Sequence, residues 1–419
     1  MAWRLLILLG DSVVALIVAA MLNWLALLQV RRSETLHWTE RARRLWPIRV
    51  GSGSALGLLP VDLCLGQNLL WPAFSPPWAL AVLAGFLGAW AGSYPFHHHL
   101  FGWLTPRAWF HQLIIWVGFR FGWWFLCLLI ICAMPREFDW RALALFTLYP
   151  ALLAIWLSGG LVWLFRKLKV LIEPPEHLVS LVSTISQTTN ITFRKIWVLR
   201  GAGDSAFALP YSGGLLFSER LLELHPDDEI AALCAHELGH LSESRLVLFA
   251  RLLGSMAFGP ALFAKPAFYA WGPVGVLLVF TATWLMFLAS RHLNRKLEVR
   301  ADRIGRAHEL DPGAYARALA RLHEDNLIPA VMPRKTTHPD LYDRLVSADS
   351  PPNYPRPEKP SAISWQAFVL AVLCGVLIVA TIIPFLSSPT KPFDEQQGST
   401  QARLASMCCL AYVRQRTKG

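Results

Sequence analysis

Residues 5 to 29 form an apolar run in which Asp11 is the single charged side chain. That is long enough to cross a bilayer as a helix and longer than a signal-peptide core, so it reads as a retained anchor. Further apolar runs follow at 54 to 74, 77 to 95, 117 to 134, 142 to 165, 246 to 264, 269 to 290 and 364 to 386. Pro60, Asp62 and Gln67 interrupt the first of these, and Arg251 weakens the 246 to 264 run, which suits a re-entrant or tilted helix. The expected architecture is therefore a polytopic α-helical membrane protein of seven or eight spans. Composition agrees: 54% of residues are hydrophobic, 19 are tryptophan and only 16% are charged, too much apolar surface for a soluble globular chain.

The net charge of +11 is distributed in a way that orients such a protein. Arg31 to Arg49 carries six arginines against two glutamates, and Arg166-Lys167-Leu168-Lys169 closes the 142 to 165 run. By the positive-inside rule both are cytoplasmic, which requires an even number of spans between them and makes 54 to 74 a span. The excess charge suits an anionic lipid surface, and no aromatic-plus-basic nucleic-acid motif accompanies it. Seven cysteines without framework spacing exclude a disulfide scaffold, and Cys408-Cys409 reads as two free thiols. His97-His98-His99 reads as an interfacial cluster, because adjacent side chains on a helix point in different directions.

Chemistry enters with His236-Glu237-Leu238-Gly239-His240. On a helix, histidines four apart share a face and chelate zinc, and the glutamate beside the first can act as general base on water. The run before it supports a helix, with Pro226 at the start and Asp227, Asp228 and Glu229 at the positive dipole end. An isolated H-E-x-x-H arises by chance, so the missing third ligand matters. Glu298 is the best candidate, on a polar helical segment, with Asp302 one turn further on to accept the outer N–H of a ligating histidine. His338 and Arg344 could stabilise the oxyanion of a tetrahedral intermediate. His323-Glu324 has no histidine four residues on and reads as a solvated face.

Between Glu173-Pro174-Pro175 and the motif, the chain reads as a soluble α+β unit. A helix is expected over 176 to 189, then short strands at 195 to 199, 205 to 209 and 214 to 217, punctuated by glycines. A small sheet packed on the motif helix follows from this order. Ala206, Phe207 and Ala208 are candidates for an edge that pairs with extended substrate, an ordinary buried strand being the alternative.

Taken together, these features resemble the integral-membrane zinc metallopeptidases that include the CAAX prenyl proteases and the bacterial stress protease HtpX. The resemblance rests on Ala206-Phe207-Ala208, His236-Glu237-Leu238-Gly239-His240, Glu298-x-x-x-Asp302 and His338-Pro339 followed by Arg344, across roughly residues 175 to 347. It departs at Ser205, where the family usually has asparagine. The resemblance implies one zinc ion held by His236, His240 and Glu298, with Glu237 as general base, in a zincin-like α+β catalytic domain. It also implies membrane proteins or membrane-tethered peptides as substrates, in quality control or processing.

The expected layout is a transmembrane region at 1–170, catalytic parts at 171–245 and 291–350 flanking a membrane hairpin at 246–290, a proline-rich linker at 351–363, a last span at 364–387 and a polar tail at 388–419. The active site is expected to face the cytoplasm from a bacterial cytoplasmic membrane. Two other readings compete. A membrane sensor protease of signalling would want a large extracellular domain, and an inactive scaffold would not need a complete set of base and ligands.

Overall fold

The computed structural model describes residues 2–70, 76–334, 338–348 and 350–387. The polar tail, with Cys408 and Cys409, lies outside them. Three long helices come first, α1 (Ala2–Arg31), α2 (Trp38–Leu70) and α3 (Trp78–Leu100). α1 and α3 lie so close that a Cβ at Gly88 would collide with the Ser12 carbonyl, the small-residue seam by which helices approach in a membrane. Most of the arginine-rich segment expected as a loop is the first part of α2, and Pro47 and Pro60 both lie inside that helix. Asp62 is buried there and faces the bundle instead of lipid. The neighbouring Asp11 accepts a hydrogen bond from Gln67 across the α1–α2 contact.

α4 (Pro106–Trp116) starts where Thr105 Oγ1 accepts the Ala108 N–H at 3.2 Å, a side-chain cap. A π-helical turn at Val117–Phe121 joins it to α5 (Gly122–Ala133), so the span expected at 117 to 134 is an interrupted helix with an earlier start. α6 (Trp140–Ile155) is capped by Asp139 and passes through a second π-turn, Trp156–Gly160, into α7 (Leu161–Lys167).

The chain then leaves the apolar helices. β1 (Leu171–Ile172), α8 (Glu176–Thr189), β2 (Lys195–Leu199), β3 (Ala206–Leu209) and β4 (Gly214–Ser218) follow. Sheet order is β1-β2-β4-β3, with β2 and β4 parallel and β3 antiparallel to β4 at the edge. Alternation along the strands divides the sheet's two faces. Ile196, Val198, Leu215 and Phe217 pack toward α8 and α10, whereas Trp197, Leu199 and Leu216 pack on Leu161 and Phe165 of α7.

After α9 (Glu219–Leu224) and α10 (Asp227–Leu241) comes α11 (Arg245–Ser255), a turn with the 3-10 segment Pro260–Phe263, and then α12 (Ala264–Ala307). The run at 246 to 264, weakened by Arg251 and expected as a re-entrant or tilted helix if not a full span, is a short helix and a turn. The hairpin bends at 256–263. Pro266 falls in the first turn of α12, where a missing N–H costs nothing. α12 kinks at Gly272-Pro273 and then carries the apolar run directly through Glu298 and Asp302. Trp271, Leu277, Phe280 and Trp284 are all more than half exposed along it.

α13 (Ala314–Asp325), α14 (Leu341–Ser347) and α15 (Trp365–Ser387) complete the fold. Tyr315, Leu319, Leu341 and Leu345 share one core with α8, the sheet and α10, so the segments on either side of the hairpin form a single unit. The proline-rich stretch is not a free linker. Tyr354 packs edge-on to Trp38 at 5.8 Å and Arg356 pairs with Asp343. Nor is His323 solvated: it is partly buried, its Nδ1 3.3 Å from the Ile328 carbonyl.

Five helices among the described residues are long and apolar enough to cross a membrane, and α15 is a further apolar helix. The run at 246 to 264 does not stand as a separate helix here, because it is folded into the approach to α12. The chain is an integral membrane protein.

Candidate metal centre

α10 places His236 and His240 on one face, as their spacing requires, and α12 crosses that face. Gly239 permits the crossing: a Cβ there would lie 3.1 Å from Ile304 Cδ1 and 3.2 Å from Ala301 Cα. The close approach brings Glu298 to the two histidines. Its Oε2 is 3.6 Å from His236 Nε2, and its Oε1 is 3.7 Å from His240 Nε2. One donor atom from each of the three residues lies within 4.8 Å of the others, the one such cluster found among the described residues.

The far side of each ring is held by an acid. His236 Nδ1 is 3.2 Å from Asp302 Oδ1 and 2.8 Å from the Tyr315 hydroxyl, while His240 Nδ1 is 3.0 Å from Glu243 Oε1. Those acids are held in turn. Arg344 grips Asp302 through Nε at 3.0 Å and Nη2 at 2.7 Å, and Arg251 Nη1 reaches Glu243 Oε1 at 2.7 Å. Such contacts fix imidazole tautomers with Nδ1 protonated, leaving both Nε2 lone pairs aimed at Glu298.

A cation suits this arrangement. Glu298 Oε2 is buried and makes no hydrogen bond of ordinary geometry, although His338 Nδ1 comes within 3.0 Å. Burial disfavours charge on His240, yet the carboxylates of Glu243 and Glu298 outweigh it and raise the ring to about 10. A pocket that draws protons so strongly draws other cations for the same reason, and a His-His-carboxylate donor set matches zinc.

Glu237 is adjacent, and its Oε2 accepts the backbone N–H of Ala208 at 2.6 Å. This ties α10 to the edge strand β3, where Phe207 is exposed and stacks on Phe119 at 5.5 Å. The outer edge of β3 has no strand partner among the described residues.

Arg344, expected to help stabilise an oxyanion, forms an ion pair with Asp302 at 2.7 Å. Its side chain is buried behind Asp302, and Nη2 also donates to the Tyr315 hydroxyl at 2.9 Å. Burial and the Asp302 carboxylate push the Tyr315 hydroxyl well above its ordinary range, so it stays protonated. His338, half exposed beside Glu298, remains at the mouth of the site. Sequence reasoning missed Tyr315, Glu243 and Arg251. Glu243 was findable, as an acid three residues beyond His240, just past the end of α10. Tyr315 and Arg251 carried no signal. The three histidines at 97 to 99 do diverge: His97 meets the Ser93 carbonyl, His98 the Leu104 carbonyl and His99 the Glu34 carboxylate.

Residues 175–351 match peptidase family M48. The matched segment is less than half of the chain. Ala208, Glu237, the three residues of the metal cluster, Tyr315 and Arg344 all lie within it. Among curated proteins, the chain is 28% identical over 204 residues to a probable CAAX prenyl protease 1 of Schizosaccharomyces pombe, covering 40% of this chain and 41% of that one. It is 27% identical over 218 residues to protease HtpX of Hahella chejuensis, covering 46% and 73% respectively. The chain thus spans about two fifths of the fission-yeast relative's length and about three quarters of the bacterial one's. Among solved structures, S. mikatae Ste24p aligns over 83% of this chain and 99% of its own, at 17% identity and a TM-score of 0.45.

Proposed function

We propose that the protein is a zinc-dependent endopeptidase of membrane or membrane-tethered proteins. The observation that carries this reading is the convergence of His236, His240 and Glu298 within 4.8 Å, with Glu237 beside them and in contact with a sheet edge. His236, His240 and Glu298 would hold one zinc ion, which when bound supplies Lewis acidity and eases ionisation of water. Glu237 takes the proton from the attacking water and delivers it to the leaving amine. The Ala208 N–H orients the carboxylate for this. Substrate binds extended along β3, antiparallel or parallel to Ala206, Phe207 and Ala208, with backbone groups satisfying the open edge. His338 stabilises the oxyanion, and Asp302, Glu243, Tyr315, Arg344 and Arg251 position the histidines.

In this reading the catalytic parts are 171–245 and 291–350, joined by the hairpin, and the site faces the cytoplasm of a bacterial membrane. Support for the orientation comes from the arginines of α2 and the cations ending α7. The named relatives, a prenyl protease and HtpX, support processing or quality control as the role. Purified full-length protein in detergent tests the proposal. Zinc at one ion per chain and cleavage of an unfolded membrane protein, abolished by chelator and restored by zinc, are expected. Full cleavage by metal-free protein would overturn it.

A further inference from the structure

On the sheet face turned away from α10, a groove of about 760 Å³ runs between α7 and strands β2 and β4. Arg166 and Lys167 enter it from the end of α7, and Arg194 and Lys195 from the start of β2. Among the described residues, no acid lines it. Two of the cations bracket one ring: the Arg166 guanidinium lies 5.0 Å and the Lys195 ammonium 5.1 Å from the centroid of Trp197. Cations gathered this closely repel one another, and an anion between them relieves the repulsion.

Charge bias at a membrane helix end accounts for Arg166 and Lys167. It does not account for Arg194 and Lys195, which belong to the sheet and are brought to the same groove by tertiary packing. The groove also has an apolar side. Trp163 on its wall is 63% exposed and Ile155, one π-turn earlier on the same apolar helix, is 66% exposed. Tryptophan in that position marks the level of lipid headgroups. The π-turn leaves Ser158 and Gly159 on the wall, with the Ser212 side opposite.

We propose that this groove binds the phosphate of an anionic phospholipid from the surrounding leaflet, fastening the sheet to the membrane end of α7. Free phosphate shares the charge chemistry, but the bordering exposed Trp163 and Ile155 favour a ligand with acyl chains. The inference does not depend on the peptidase reading, because the groove lies across the sheet from α10.

Native mass spectrometry of the full-length protein, delipidated in detergent and offered phosphatidylglycerol or phosphatidylcholine, tests it. Retention of phosphatidylglycerol is expected to exceed that of phosphatidylcholine by roughly tenfold or more, because basic side chains attract the net negative headgroup. Arg166→Gln with Arg194→Gln should remove the preference. Lys167→Gln with Lys195→Gln should do so too, and serves if loss of the Arg166–Trp197 contact impairs folding. Arg295→Gln with Arg303→Gln, which removes the same charge from α12, should leave it intact. Equal retention of the two lipids, equal loss in the α12 control, or displacement by millimolar inorganic phosphate would each overturn the proposal.

Discussion

The backbone N–H of Ala208 donates to Glu237 Oε2 at 2.6 Å, so the residue proposed as general base is hydrogen-bonded to the strand proposed to receive substrate. A substrate strand seated on β3 is thereby registered against the base by one short link.

Glu237→Gln keeps the acceptor for Ala208 but cannot take a proton. We expect unchanged zinc content and a loss of turnover of about 100-fold or more. Metal analysis paired with peptide cleavage checks this, and a Glu237→Gln variant that still turns over would remove Glu237 from the mechanism.

Glu298→Ala and His236→Ala should each abolish stoichiometric zinc, because each removes one of three donors. If Glu298→Ala protein retains its metal through dialysis, the third ligand lies elsewhere.

Glu243→Ala should weaken zinc affinity by about 10- to 100-fold, as should Asp302→Ala, since each removes the acid held at the Nδ1 of a ligating ring. Competition with a fluorescent chelator measures both. Arg344→Ala should follow Asp302→Ala in affinity, and the double variant should be little worse than either single. A fall in turnover with affinity untouched would instead return Arg344 to the oxyanion role.

Gly88→Ala places a methyl against the Ser12 carbonyl and must push α1 and α3 apart. We expect a loss of about 1–3 kcal/mol, the usual cost of overpacking, seen as a lower unfolding temperature in detergent. Gly10→Ala on the same bundle meets nothing within 4 Å and should be neutral.

For topology, a single cysteine at Thr184, exposed on α8, should resist a membrane-impermeant thiol reagent in intact cells and react once they are permeabilised. Labelling of unbroken cells would place the catalytic unit outside.

The sequence by itself determined the local parts. Four-residue histidine spacing, three acids at a helix start and β-branched runs between glycines are short-range patterns. Helices at 176 to 189 and 227 to 241 and the strands at 195 and 214 accordingly stand where those patterns put them. Glu298 and Asp302 were candidates from their one-turn spacing on a polar helical segment, and the family resemblance supplied their roles. What only the tertiary structure decided is how distant segments meet. Tyr315 reaches Asp302 because α12 and α13 both pack on α10, and Arg344 reaches Asp302 because α14 joins the same core. The bounds of the apolar helices shifted for a related reason: hydropathy reports the length of an apolar run and not the π-turns and bends inside it.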